Sequence, residues 1–270
     1  MINIQSFNYT EFAGKYEQGS VEAQALEELS NSAETFSYAS AEALEFELTL
    51  RRETVMAAGA LSRSRMAFAV FENTRCNPDF WIRASNGGFN ARSDVRASDA
   101  VGDIFTNSRM YATECATAMV IIYYGALLKV YGGEKFNSTF KDIYLMNWSI
   151  RDPLLRKAAT PLPTKSHIVG DRVYFANPDV DPETPWWQGE NVIVLPGGEY
   201  YGHGVGVLKA EEIVRLLNGQ RREGATRPAY LMDSAGRPDF AKLYNAYVGR
   251  ELRPSSLVWR PFPPPITARA

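Results

Sequence analysis

Cys115 stands at the mouth of an apolar run, "TECATAMVIIYYGALLKVY", and not in its middle. A cysteine in the first turn of a helix faces unpaired backbone N–H groups and the positive end of the helix dipole, and both favour thiolate over thiol. Thr113 is a good N-cap and Glu114 a good first-turn acid, so the spacing places Cys115 near the second helical position. The same N–H groups could form part of an oxyanion hole. The competing role is that of a small buried hydrophobe, which suits most lone cysteines.

The chain has only two cysteines and two histidines, so few partners compete for a role. His203 lies in "YYGHGVGV" between Gly202 and Gly204, and glycines in a strand mark a bulge or a close backbone approach. A side chain held there is one that something must reach, although a satisfied strand histidine fits too. His167, in a proline-flanked loop, reads as a surface histidine, and Cys76 beside Asn77–Pro78 reads as structural. Glu190 is the third candidate. If Gly197 and Gly198 are the two turn residues of a hairpin, Pro196 faces Glu199 and Val192 faces His203. Period-two alternation then puts Glu190 on the same sheet face as His203, one diagonal step away; the alternative is a solvated acid at a strand end. Trp148, Tyr174, Trp186, Trp187, Tyr200 and Tyr201 crowd the same region. Most aromatics are core, but Trp186 and Trp187 cannot both point inward on a strand, so one is free to wall a site.

These residues need a scaffold. Residues 21–60 read as helical, with Ser20 as a cap for the first segment, and a helix runs from about Glu114 to Tyr131, stopped by Gly132–Gly133. "RCNPDFWIRASNGGFNAR" reads as a loop with buried aromatic anchors. Past Trp148 the texture changes to a strand at Arg172–Phe175, a hairpin about Gly197–Gly198 and a short helix closed by Gly219. The economical architecture is one α+β domain over 1–258, helical to about 150 and strand-rich over about 165–220, with a proline-rich tail at 259–270.

Composition narrows the function classes. A net charge of −2 gives no general attraction to nucleic acid or anionic membranes. Two cysteines are too few for a disulfide framework or a zinc cluster, and no acidic loop shows EF-hand spacing, so neither cofactor nor metal is expected. No apolar run reaches the length of a membrane span and the start, "MINIQSFNYTEFAGKYEQGS", is polar, so synthesis in the cytosol is expected.

"SRCNPDFWIRASNGGF", "TECATAMVIIYY", "VYFANPDVDPETPWWQGEN" and "YYGHGVGV", in that order, resemble the protein-glutamine γ-glutamyltransferases of Bacillus-type spore formers. The resemblance spans about residues 1–250. It implies a compact transglutaminase with an NlpC/P60-like, papain-type core that works without calcium and crosslinks glutamine- and lysine-bearing proteins of the spore coat. Position by position it makes Cys115 the nucleophile, Glu190 its acid/base partner, Glu114 a neighbouring acid that partly substitutes, and His203 the site histidine. Trp148, Trp187 and Tyr174 are the expected walls of a partly dry cavity in which an amine, and not water, resolves a Cys115 thioester. Two other readings compete: a cysteine amidase or peptidase on the same scaffold, and a non-enzymatic coat protein that packs by its aromatic surfaces.

Overall fold

In the computed structural model, residues 1–249 are described; the expected proline-rich tail at 259–270 lies outside them. The helical region resolves into two helices, α1 (Val21–Asn31) and α2 (Ala41–Ser62). The hydroxyls of Ser20 and Ser40 accept from the backbone N–H groups of Ala23 and Ala43, so each start is set by a serine cap. Helix α3 (Ala97–Thr106) follows, and α4 (Cys115–Tyr131) forms the centre. From Ala116 to Leu127 every residue of α4 is buried, as a helix apolar on all sides must be. The segment read as a loop is instead a short hairpin, Trp81–Arg83 against Phe89–Ala91, with Trp81 and Phe89 fully buried. Three-residue strands are too short to show alternation, so only their aromatic anchors were visible in the sequence.

A five-stranded antiparallel sheet covers α4. Its strands are β1 (Arg172–Ala176), β2 (Gly189–Leu195), β3 (Glu199–Gly202), β4 (Gly206–Lys209) and β5 (Tyr230–Leu231), in the order β4-β3-β2-β1-β5. The two faces of β2 divide the core. Ile193 and Leu195 pack with α4, whereas Val192 and Val194 pack with Ile213 and Leu217 of α5 (Ala210–Asn218). The β2–β3 turn spans three residues, Pro196–Gly198, so Leu195 faces Glu199 and Val192 faces Gly202. That register differs by one residue from the two-residue turn expected. A one-residue slip exchanges the faces, so the diagonal relation inferred for Glu190 and His203 does not hold.

A buried charge network ties the helices to the sheet. Arg51 of α2 bonds Glu47, the Val169 carbonyl and Asp171, and Arg237 grips both oxygens of Asp171. Helix α6 (Phe240–Tyr247) returns to pack on α2.

Candidate active site

Cys115 is the first residue of α4, and the N-cap is Glu114, not Thr113. Thr113 pairs instead with Phe68 in a two-residue parallel ladder. The Glu114 carboxylate turns back on its own helix and accepts from the N–H groups of Ala116 (2.5 Å) and Thr117 (2.9 Å) and from the Thr117 hydroxyl. The donors that a first-turn thiolate would use are thus partly consumed by a carboxylate. Burial, then the charges of Glu190 and Glu114, push the Cys115 thiol up to about 12. The thiolate expected from the helix dipole alone is therefore reversed, because burial outweighs the dipole and the carboxylates of Glu190 and Glu114 add like charge.

The Cys115 side chain lines a cavity of about 500 Å³ together with Glu114, Trp148, Arg172, Tyr174 and Asn191. Trp148 and Tyr174, two of the expected walls, line this cavity. Trp187 is not: Trp186 takes its place in this cavity, and Trp187 packs against the Val192–Ile213 side of the core. Phe68 and Trp186 stand at the rim, 41% and 45% exposed. They also border a second chamber of about 90 Å³ lined by Trp187, Glu190 and His203.

Glu190 is 3% exposed, and one of its carboxylate oxygens, Oε1, has no hydrogen-bond partner. Burial, with the nearby Glu114 charge, raises its carboxyl well above the usual range. It lies against Gly202, where a Cβ would fall 2.8 Å from Oε1 and 2.9 Å from Cγ. Glycine at 202 is therefore a matter of space for Glu190 and for Val205, whose Cγ2 lies nearer still, and at 204 of backbone, with φ of +105°.

His203 is buried at the same end of the sheet, but both ring nitrogens are used. Nε2 lies 3.1 Å from the Ala67 carbonyl, which can only accept, so Nε2 carries the proton. Nδ1 then accepts from the Tyr201 hydroxyl at 3.3 Å. Burial lowers the His203 pKa and keeps the ring neutral. The structure gives His203 the work of holding β3 to the Ala67–Phe68 segment, and it faces the Glu190 chamber without bonding Cys115. His167 is half-buried, not a surface residue. Cys76 packs on the core with its thiol 3.9 Å from the Trp81 carbonyl, a structural place as expected.

Two polar residues of the cavity escaped the sequence analysis. Asn191 donates from Nδ2 to Cys115 Sγ at 3.6 Å, and Arg172 sits 4% exposed over the Trp148 ring at 4.4 Å. The signal for Asn191 was its alternation with Ile193 and Leu195, the face that meets α4. For Arg172 it was a charge opening the apolar strand "RVYFA".

A cysteine starting a central helix, packed under an antiparallel sheet that brings polar partners to it, defines a papain-like cysteine enzyme. The family description "protein-glutamine gamma-glutamyltransferase" matches residues 1–247. A relative of that name from Halalkalibacterium halodurans is 43% identical over 213 residues, covering 79% of this chain and 74% of the relative. Another from Bacillus cereus is 39% identical over 240 residues, covering 88% and 85%. The solved transglutaminase from Geobacillus stearothermophilus without its C-terminal extension superposes with a TM-score of 0.72 at 42% identity, covering 78% of this chain and 99% of that one. The chain belongs to the protein-glutamine γ-glutamyltransferase family, and its activity is the acyl transfer of a transglutaminase.

Proposed function

We propose that the transfer runs through a thioester on Cys115, with Glu190 as the proton carrier. The observation behind this is the buried Glu190 carboxyl, incompletely hydrogen-bonded, close enough to raise the Cys115 thiol at the edge of an aromatic-walled cavity. Raising a carboxylate makes it a stronger base and narrows its gap to the thiol. Ionised Glu190 takes the thiol proton as sulfur attacks the glutamine carboxamide carbon and the C–S bond forms. The C–N bond then breaks, and that proton leaves with the nitrogen as ammonia. A neutral lysine amine enters, gives a proton to Glu190 as its nitrogen bonds to carbon, and the C–S bond breaks. The sulfur recovers the proton, leaving an ε-(γ-glutamyl)lysine crosslink.

Glu114 is held by three donors and serves first as the cap. The aromatic rim of Phe68 and Trp186 favours an amine over water as the second nucleophile. Calcium independence, origin in the mother-cell cytosol, and spore-coat proteins as substrates belong to this same proposal and are carried by the resemblance. The Cys115→Ala variant, incubated with a glutamine-bearing protein and a labelled amine, should incorporate none. Full incorporation would sink the mechanism. A covalent acyl adduct on the Cys115 peptide, seen by mass spectrometry when amine is withheld, supports it, and an unchanged rate in EDTA supports calcium independence.

A further inference from the structure

Cys115 carries a problem that its helix does not solve. The N–H groups of Ala116 and Thr117 are spent on Glu114, and the charges that face the sulfur, Glu114 from α4 and Glu190 from β2, both oppose a thiolate. Tyr174 of β1 faces it as well, its hydroxyl pushed up to about 12 by burial and by Cys115 itself. Among the described residues, the one cation lining the cavity is Arg172.

The side-chain amide between them has a determined orientation. Arginine has donors only, and Arg172 Nη1 lies 3.4 Å from Asn191 Oδ1. The amide oxygen must therefore face the guanidinium, which leaves Nδ2 to donate to Cys115 Sγ at 3.6 Å, within range for the larger sulfur acceptor. Arg172 is itself fixed by the Ala158 carbonyl at 3.2 Å and by the Trp148 face, while its Nε is buried without a partner. Gly236 leaves the room it occupies, since a Cβ there would collide with Nη2.

We propose that Asn191 is a catalytic residue that binds the reacting sulfur, and that Arg172 is the positioning residue that aims and polarises its amide. Beside the Asn191 backbone N–H, the pair supplies a donor in place of those that the Glu114 cap withdraws from the helix. This rests on Cys115 as the nucleophile, which the test separates.

The experiment follows iodoacetamide alkylation of the Cys115 peptide by mass spectrometry across the neutral to alkaline range, beside steady-state transamidation. A hydrogen bond to a charged group is typically worth enough that Asn191→Ala should slow alkylation at fixed pH about tenfold or more, with the thiol pKa moved up. Turnover should fall by a similar factor with KM for the glutamine donor little changed, since the bond strengthens as charge develops on sulfur. Arg172→Met should reproduce the shift, Arg172→Lys should recover part of it, and Asn191→Ala with Arg172→Met should be no slower than Asn191→Ala alone. Should Arg172→Met fail to fold, the same cycle is run with Arg172→Lys. An unchanged alkylation profile in Asn191→Ala, or effects of the two positions that multiply, overturns the proposal. Activity retained in Cys115→Ala would instead overturn the nucleophile assignment beneath it.

Discussion

At the scale of single residues, the site is built from groups forced into uncomfortable protonation states. Glu190 is buried with its carboxyl raised, so the folded chain binds its proton more tightly than the unfolded chain does. Between the ordinary carboxylate value and the raised one, the native state holds more protons, and stability must fall as pH rises through that window. Replacing the acid by its neutral isostere removes the cost. Glu190→Gln should therefore melt higher than the parent at neutral and alkaline pH and show a flatter pH dependence, while transamidation collapses. Thermal melts across pH, read beside the amine-incorporation rate, check both halves; a variant that melts lower at every pH contradicts the burial argument. His203 has the opposite sign. Its lowered pKa gives stability that is present above the ordinary histidine value and lost as pH falls below it. Among these residues Cys115, Glu114 and Glu190 were legible in the sequence as candidates, because thiols and acids at element ends carry a chemical signal. Asn191 and Arg172 carried little, because an amide and a guanidinium in a strand acquire their meaning only from what the sheet places beside them.

At the scale of elements, the start of α4 balances two demands. Glu114 caps the helix through Ala116 and Thr117 and in doing so sets a negative charge beside the sulfur. Stability and thiol reactivity are thus opposed at one residue. Glu114→Ala should cost about 1–2 kcal/mol of stability, the usual loss of a side-chain cap. It should also lower the Cys115 pKa and speed its alkylation at fixed pH, because a like charge is gone and two N–H donors are released. Denaturant melts and alkylation rates are expected to move in these opposite directions; slower alkylation would show that Glu114 helps the thiol. The hairpin makes a matching point about legibility. Its strands, its closing glycines and its place in the chain were plain from the alternation in "NVIVLPGGEYYGHG", yet whether the turn held two residues or three was not. That single residue decides which residues of β3 share a face with Asn191 and which with Glu190. Gly202→Ala tests the packing consequence: its methyl would press on Val205 and Glu190, so activity should drop at least tenfold and the melt should fall with it, judged from Cβ contacts under 3 Å.

At the scale of the whole molecule, helices and sheet are joined under the site by the buried carboxylate of Asp171. It receives Arg51 from α2 and the Nε and Nη2 of Arg237, and its neighbour Arg172 begins β1 and reaches Asn191. The order of helical and strand patterns showed an α+β chain with helices before strands, but not this joint: Arg51 and Asp171 are 120 residues apart, and neither stands in a motif. Removing one partner of a buried ion pair leaves the others desolvated and uncompensated, which costs about 3–5 kcal/mol. Asp171→Ala should therefore lower the melting temperature by about 10 °C in a chain of this size. Because the joint ties α2 to the strand that holds Arg172, the helical and strand-rich parts should unfold together as one domain. Far-ultraviolet dichroism, tryptophan fluorescence and residual activity should lose their signals in a single coincident transition, in the parent and in Asp171→Ala alike. Two separated transitions would show that the helices and the sheet are independent units and that the network only decorates their contact.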